Sequence, residues 1–195
     1  MKNSHIINYK EFNFLNKKNS KKYSNLIKKI NFLLEKKIGF VVIKNFKINR
    51  ENLKKTNSKY ISFLKNFGTL LSQNKKKEKI TKVMDKGKKW SANNRGYITN
   101  DYIPFHTDGG TIASLLCVNN SSKGGQSIVT ESKNIYLSLK KNYPNLLKIL
   151  EEGFHYHTRG EKKNGNKNQI SKKKYPVFFH KNRKLHCMFN KKPII

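Results

Sequence analysis

Cysteine and long apolar segments are scarce in this sequence. Its 195 residues include 2 cysteines, Cys117 and Cys187, which are too few for a disulfide framework and favour a reducing compartment. No apolar run approaches the roughly 20 residues that a transmembrane helix needs. The N-terminal segment MKNSHIINYKEFNF has neither the apolar stretch nor the small-residue cleavage site of a secretory signal. The sequence therefore predicts a soluble, cytoplasmic protein without a membrane partner.

Acidic residues are also scarce, and the balance of charge follows from this. Lysine and arginine total 43 against 11 aspartates and glutamates, which gives a formal net charge of +32. Such a charge is typical of proteins that bind nucleic acid or another polyanion. However, the arginines are only Arg50, Arg95, Arg159 and Arg183, and the lysines are spread through every segment. We interpret the charge as drift of exposed positions toward lysine, as AT-rich genomes favour, and do not expect nucleic-acid binding.

The first half of the chain predicts helices that cover a sheet, within a single domain of residues 1–195. From about residue 20, apolar side chains recur at helical spacing, and Gly39 stands where this helix would end. Residues 40–46, FVVIKNF, predict a buried strand. Five residues on one side predict a second helix that Gly68 closes: Leu53, Tyr60, Ile61, Leu64 and Phe67. Residues 80–84 favour a further strand inside a lysine-rich loop at 75–89.

The second half predicts short strands interleaved with helices. Residues 112–118 and 126–132 favour strands, and the turn-rich NNSSKGG lies between them. Ser132 is the expected cap of a helix over 134–142, and Pro144 begins another helix that ends at Gly153. A strand at 154–161, a lysine-rich loop at 162–174 and a hairpin turning at 181–184 follow. The pattern favours a mainly β (α+β) fold with peripheral helices, a β-sandwich or jelly roll, over a doubly wound parallel sheet.

Residues 102–132 combine structural signals with chemical ones. His106 and Asp108 are two residues apart, so on an extended chain both side chains project to the same side. An imidazole and a carboxylate so placed are part of the facial triad of non-haem Fe(II) oxygenases, which leaves positions open for substrate and O₂. The glycines at 109 and 110 would allow close backbone approach. The alternative is a turn built on Asp108 and Gly109 with a histidine nearby.

Ser127 and the other histidines are further candidates for the site. Ser127 follows paired glycines closely and could hydrogen-bond a carboxylate held beside the metal. His155 and His157 form an HxH pair that could bind a metal, although burial or exposure on a strand face is the more ordinary place for such a pair. His180 and His186 flank the predicted hairpin turn, so we expect both to be exposed. His5 carries no signal.

Several segments follow one another in a characteristic order: GFVVIKNF, PFHTDGG, SLLCVNNSSKGGQSIV, NIYLSLKKNYPNLLKIL, GFHYHTRGE and YPVFFHKNRKLHCMFN. In order and content they resemble the TauD/TfdA family, the taurine dioxygenase-like Fe(II)/2-oxoglutarate-dependent oxygenases. The resemblance implies a double-stranded β-helix, or jelly roll, with Fe(II) at one mouth and 2-oxoglutarate as cosubstrate for hydroxylation of a small organic molecule. It also implies that His106 and Asp108 are the first two iron ligands and that Ser127 contacts 2-oxoglutarate.

The sequence departs from the family after the predicted hairpin. In the family, a distal histidine completes the iron site, and a later arginine pairs with the far carboxylate of 2-oxoglutarate. The chain reaches Ile195 before either residue is expected. We therefore expect an incomplete jelly roll, truncated at the C-terminus, that holds Fe(II) weakly alone. Three interpretations stay open: a gene fragment, a split gene whose downstream polypeptide supplies the missing strands, and a pseudoenzyme. The alternative is a lysine-rich protein that binds nucleic acid or another polyanion on a degenerate oxygenase fold.

Overall fold

The computed structural model describes residues 5–8, 21–74, 77–89, 96–157, 170–191 and 194–195. Residues 90–95, Arg159 and the lysine-rich loop up to residue 169 lie outside the described residues. The chain forms two compact units. Unit 1 consists of Met1–Ile80 and Ser114–Ser127, and unit 2 consists of Thr81–Ala113 and Ile128–Ile195. None of the helices in the described part of the chain is long and apolar enough to cross a membrane.

The first helix of unit 1, α1, spans Lys21–Lys36. It forms as predicted because its apolar residues fall on one face, where Leu26, Ile30 and Leu33 are buried. Gly39 follows the helix with a φ of +77°, and its N–H donates to the Leu33 carbonyl at 3.2 Å. A positive φ suits glycine, so the predicted role of Gly39 in ending this region is confirmed.

The second helix, α2, spans Leu53–Leu64. Its N-cap is Asn52, whose side-chain oxygen accepts the Lys55 N–H at 2.9 Å and so satisfies one amide of the first turn. Tyr60 is buried as its predicted face requires, but Thr56 and Phe63 are buried too, and the apolar pattern did not include them. The helix is therefore confirmed, but its buried face is centred on Thr56, Tyr60 and Phe63 and differs in part from the predicted one.

Unit 1 also contains a small parallel sheet. Strand β1, Ile6–Asn8, pairs with β2, Val42–Lys44, and Ile7 lies opposite Ile43. The core packs around Ile7 and the buried residues of both helices. The predicted buried strand at 40–46 is wrong in length and burial, because β2 has 3 residues and its Val42 side chain is exposed. With the helices packed on one face, alternate side chains of β2 point outward.

Unit 2 contains two consecutive helices, α3 (Ser132–Asn142) and α4 (Pro144–Glu152). The prediction that Ser132 caps α3 is wrong, because Glu131 is the N-cap and makes no side-chain cap bond. The amides of Asn134 and Ile135 already donate to the Glu131 carbonyl, which places Ser132 in the first turn. Pro144 begins α4 and Gly153 ends it, as predicted.

The predicted hairpin is confirmed. Strand β3, Phe178–Lys181, pairs antiparallel with β4, Lys184–Cys187. The two turn residues, Asn182 and Arg183, have φ values of +51° and +58°, which is typical of a type I′ turn and matches the twist of the strands. One face of the hairpin packs on α4 through buried Leu147, Val177 and Phe178, and this group is called the unit 2 core below.

Three other predicted strands are not formed in the described residues: 80–84, 112–118 and 126–132. Leu115 is 76% exposed and Ile128 is 72% exposed. A strand needs a partner for its backbone, and none of these three segments pairs with a described strand. Residues 154–157 form only isolated antiparallel bridges, such as the one from Phe154 to Tyr175. The described residues thus contain helices and two small sheets, and the jelly roll stays a prediction.

Candidate metal centre

His106 and Asp108 lie in an irregular segment of unit 2 that follows Pro104. Nε2 of His106 is 3.7 Å from Oδ1 of Asp108, and the side chains are 38% and 62% exposed. The two side chains converge as an extended chain requires, and both stay open to ligands from solvent. A Cβ at Gly109 would meet no atom within 4 Å, so the expected close backbone approach is absent at this glycine.

The imidazole of His106 is held in one orientation by a hydrogen bond from Nδ1 to a backbone carbonyl. Nδ1 lies 2.8 Å from the carbonyl oxygen of Pro104. A carbonyl can only accept, so Nδ1 is the donor in this contact, and in the neutral imidazole Nε2 is then the nitrogen with the lone pair. A hydrogen bond from the second nitrogen to a backbone carbonyl is the usual arrangement of a metal-binding histidine. The free lone pair thus belongs to the nitrogen nearer Asp108.

The segment is attached to the end of the hairpin through Thr107, which separates the two candidate ligands. The Thr107 N–H donates to the Phe189 carbonyl at 2.7 Å, and the Phe189 N–H donates to Oγ1 of Thr107 at 2.9 Å. Phe189 packs against the unit 2 core. Both candidate ligands therefore flank a residue that is hydrogen-bonded to Phe189, two residues beyond the end of β4.

Ser127 belongs to unit 1, whereas His106 and Asp108 belong to unit 2. Its side chain is exposed and follows the glycine turn, in which Oγ of Ser121 donates to the Gly124 carbonyl at 2.6 Å. Gly124 and Gly125 have φ values of +72° and +76°. The prediction of a turn before Ser127 is confirmed, and the predicted contact of Ser127 with 2-oxoglutarate stays a prediction.

The other candidate histidines lie among the isolated strand bridges or on the hairpin. Nδ1 of His155 donates to the Ser171 carbonyl at 2.8 Å, and His157 forms a bridge with Ile170. His180 and His186 are exposed on the hairpin, as predicted. Among the residues that the structure describes, no group of three or more His, Cys, Asp or Glu side chains is placed to hold a metal ion.

Neither cysteine belongs to a metal-binding group within the part of the chain that the structure describes. Both are free, as expected from their number. Burial raises the pKa of the Cys187 thiol, which disfavours the thiolate that binds metals. Cys117 is exposed in unit 1, where its thiol contacts the Asn120 side-chain oxygen at 3.2 Å.

Residues 16–193 match the family described as taurine catabolism dioxygenase TauD, TfdA family. This match covers most of the chain and includes the HxD segment, both of its flanking regions and the hairpin. The chain belongs to the TauD/TfdA family. The resemblance inferred from the ordered motifs is thereby confirmed.

Two TauD-like relatives share parts of the sequence. FR-33289 synthase of Streptomyces rubellomurinus is 32% identical over 124 residues, which cover 63% of this chain and 36% of that protein. Taurine hydroxylase-like protein SAT17 of Stachybotrys chartarum is 36% identical over 63 residues, which cover 30% of this chain and 16% of that protein. The chain thus spans little more than a third of the first relative. No solved structure matches it significantly.

TauD/TfdA proteins in general depend on Fe(II) and 2-oxoglutarate, and the geometry at His106 and Asp108 fits two ligands of such an ion. With ligand bonds of about 2.1 Å, as for zinc, two ligand atoms lie about 3.0 Å apart when they are adjacent on one face and at most about 4.2 Å apart in any arrangement. The observed 3.7 Å is within this limit. The hydrogen bond from Nδ1 leaves Nε2 as the ligand atom of the neutral imidazole, which satisfies the second requirement, ligand chemistry.

Two long-range contacts, one in each unit, could not be found from the sequence pattern. Thr107 and Phe189 are 82 residues apart, and Tyr60 and Ser114, whose hydroxyls are 2.5 Å apart in unit 1, are separated by 54. Neither contact has a local spacing rule, because each depends on where distant segments pack. The HxD spacing identified the candidate ligands, but it gave no indication of the contact that holds the segment.

Proposed function

We propose that the chain is an Fe(II)/2-oxoglutarate-dependent dioxygenase that hydroxylates a small organic molecule, or the N-terminal part of one. The observation that carries the proposal is the His106–Asp108 pair, with Nε2 facing the carboxylate, inside a family match over residues 16–193. The overall reaction converts 2-oxoglutarate, O₂ and the substrate C–H group into succinate, CO₂ and an alcohol. One atom of O₂ enters succinate and the other enters the alcohol, so the oxidation balances.

His106 and Asp108 would hold the iron, and Ser127 would bind a carboxylate of 2-oxoglutarate. Bound Fe(II) would supply the redox chemistry that couples oxidation of 2-oxoglutarate by O₂ to hydroxylation of the substrate. The Pro104 carbonyl keeps the His106 proton on Nδ1, so that Nε2 is the donor atom. The carboxylate of Asp108 would partly neutralise the charge of the ion, and its exposure leaves the approach of a cosubstrate open.

We further propose that the third protein ligand and the arginine for 2-oxoglutarate are supplied by a polypeptide outside these 195 residues. Support comes from the described residues, in which no group of three or more His, Cys, Asp or Glu side chains is placed to hold a metal ion. An arginine fork strengthens binding of a carboxylate by charge-assisted hydrogen bonds, each of about 1.5–3 kcal/mol. The chain alone should therefore bind both iron and 2-oxoglutarate weakly.

Succinate formation tests the proposal. The purified chain is incubated with Fe(II), ascorbate and 2-oxoglutarate, alone and with the polypeptide encoded directly downstream. We expect Fe(II)-dependent succinate to be low for the chain alone and to increase when the second polypeptide is added. His106→Ala and Asp108→Ala should abolish it, whereas His186→Ala, which alters an exposed histidine of the same unit, should retain it.

Two results would contradict the proposal. Succinate formation by the complemented protein that survives both His106→Ala and Asp108→Ala would exclude this pair as the iron ligands. Absence of Fe(II)-dependent turnover in every combination, with the proteins folded, would favour an inactive member of the family. A Ser127→Ala variant that leaves the KM for 2-oxoglutarate unchanged would remove only the assigned role of Ser127.

A further inference from the structure

Thr107 makes a reciprocal contact with Phe189 within unit 2. The Thr107 amide donates to the Phe189 carbonyl at 2.7 Å, and the Phe189 amide donates to the Thr107 hydroxyl oxygen at 2.9 Å. In a regular antiparallel pair the second bond would go to a backbone carbonyl. Here the hydroxyl takes that place, so the side chain of Thr107 is part of the pairing.

The direction of these bonds places Thr107 on the outer edge of the hairpin. The amide of Met188 donates inward to the Val177 carbonyl at 2.8 Å, which extends the pairing of β4 with the β3 side by one residue. Successive amides of a strand point to opposite sides, and the Phe189 amide accordingly points away, to Thr107. Thr107 therefore occupies the position of a third strand beside the end of β4.

This position explains the convergence of the neighbouring side chains. Side chains alternate along an extended segment, so if Thr107 faces Phe189, residues 106 and 108 share the other side. His106 Nε2 and Asp108 Oδ1 are in fact 3.7 Å apart. Phe189 itself packs against the unit 2 core, which contains Leu147, Val177 and Phe178. The attachment thus runs from the candidate ligands to the packed interior of the unit.

We propose that Thr107 is a positioning residue that fixes His106 and Asp108 in metal-binding geometry through its hydroxyl bond to the Phe189 amide. The inference rests on the proposed function, in which this pair binds Fe(II). Thr107 need not touch the metal, because its effect is exerted through the two residues that flank it. Loss of the hydroxyl would leave the part-buried Phe189 amide without its acceptor and free the segment to shift.

Metal affinity of conservative variants tests the inference without measuring turnover. Co(II), which is stable in air, is titrated into the wild-type chain, Thr107→Val, Thr107→Ser and Thr111→Val, and binding is followed by paramagnetic shifts and broadening of the histidine signals. We expect Thr107→Val to weaken binding at His106 by about tenfold, the lower limit for loss of a supporting contact. Thr107→Ser should retain wild-type affinity, and Thr111→Val, at an exposed threonine nearby, should do so too.

Amide hydrogen exchange gives a second measurement that does not depend on metal. In Thr107→Val the Phe189 amide should exchange faster than in the wild type, whereas the Met188 amide, which donates to Val177, should not change. If the variant fails to fold, the wild-type chain still tests the inference. In the wild type, the Phe189 amide should be protected from exchange as strongly as the Met188 amide. An unprotected Phe189 amide in the wild type would overturn the inference.

The two proposals fail in different ways. If wild-type binding of Co(II) is absent or unchanged in His106→Ala, the proposed iron site is wrong. If binding depends on His106 but is equal in Thr107→Val and wild type, only the positioning role of Thr107 is wrong. A loss of affinity that Thr107→Ser shares in full would also overturn it, because serine keeps the hydroxyl.

Discussion

Thr56 shows how much a single buried hydroxyl contributes to unit 1. It is 1% exposed, and its Oγ1 accepts the Asn49 amide at 2.8 Å and donates to the Asn49 carbonyl at 3.1 Å. Thr56→Val keeps the shape but leaves both groups of Asn49 without this partner. We expect the free energy of unfolding in urea to fall by about 1–3 kcal/mol. Thr69→Val, at an exposed position, should change it by less than about 0.5 kcal/mol, and equal effects of the two variants would contradict the prediction.

Tyr60 should make the stability of unit 1 sensitive to alkaline pH. Burial raises the pKa of its phenol above the ordinary 10.0, while the hydrogen bond with Ser114 opposes this in part. The folded state therefore keeps the proton when the unfolded state has lost it. The resulting stabilisation is complete below pH 10 and is lost as the pH rises from there through the folded pKa.

Difference measurements isolate this effect, because the lysines also begin to lose protons in the same pH range. Urea unfolding of wild type and Tyr60→Phe is compared between pH 8 and pH 11. The variant should lose less stability than the wild type as the pH increases, even if it is less stable at pH 8. Tyr102→Phe, which removes a phenol that is 77% exposed, serves as the control and should follow the wild-type curve.

For single residues, local spacing predicts candidate ligands but no long-range contact. His106 and Asp108 are candidates because the alternation of side chains on an extended chain is a local rule. The burial of Thr56 and the contact of Thr107 with Phe189 were not found, because each depends on how distant segments pack. The roles of His106, Asp108 and Ser127 stay predictions, because they too depend on how distant segments pack.

Among the elements, the junction of α4 with the segment before β3 depends on one glycine. Gly153 has a φ of +83°, and a Cβ there would lie 2.2 Å from the Tyr175 carbonyl oxygen. The adjacent Phe154 exchanges backbone hydrogen bonds of 3.1 and 2.9 Å with Tyr175, so the strand cannot move away without losing them. Gly153→Ala therefore combines backbone strain with a clash against a fixed backbone.

A strained backbone conformation alone costs about 1–3 kcal/mol. We expect Gly153→Ala to lower the free energy of unfolding by more than this, because the clash adds to the strain. Gly87→Ala is the matched control in the same unit, since Gly87 has a φ of +67° but a Cβ there would meet nothing within 4 Å. Gly87→Ala should lower the free energy of unfolding by no more than the backbone strain alone. Thermal and urea unfolding of both variants provide the comparison, and a Gly153→Ala effect no larger than that of Gly87→Ala would show that the clash is relieved.

The elements that were predicted correctly are those that their own residues specify. Helices α1, α2 and α4 have apolar faces and recognisable ends, and the hairpin has a short turn between two apolar runs. Residues 112–118 have an equally apolar pattern but form no strand in the described part of the chain. A strand is defined by its partner, and the sequence of one segment does not say whether that partner is present.

For the whole molecule, membership of the TauD/TfdA family is established by residues 16–193, and it implies a jelly roll. Exposed apolar side chains at Leu115 and Ile128 are consistent with strands that have yet to pair. If a second polypeptide completes the site as proposed, it would supply such partners and also the third ligand that the described residues do not provide. Under that proposal, adding the second polypeptide should bury Leu115 and Ile128 and allow succinate formation at the same time.

The net charge of +32 is the property of the whole molecule that supports a different function, binding of polyanions. If the charge is compositional, binding to nonspecific duplex DNA should depend on the number of lysines and not on their position. Two sets of exposed lysines, each changed to glutamine, test this. The α1 set is Lys21, Lys22, Lys28, Lys29 and Lys36, and the loop set is Lys79, Lys82, Lys86, Lys88 and Lys89.

Fluorescence anisotropy at several salt concentrations gives the affinity and its salt dependence. Each phosphate contact contributes about 0.9 to the slope of log affinity against log salt, so equal losses of charge at dispersed positions should reduce the slope equally. We expect both sets to weaken binding to a similar extent, with little binding left at physiological salt. Loss of binding with one set and retention with the other would instead identify a basic surface selected for a polyanion, and would favour the binding function over compositional drift.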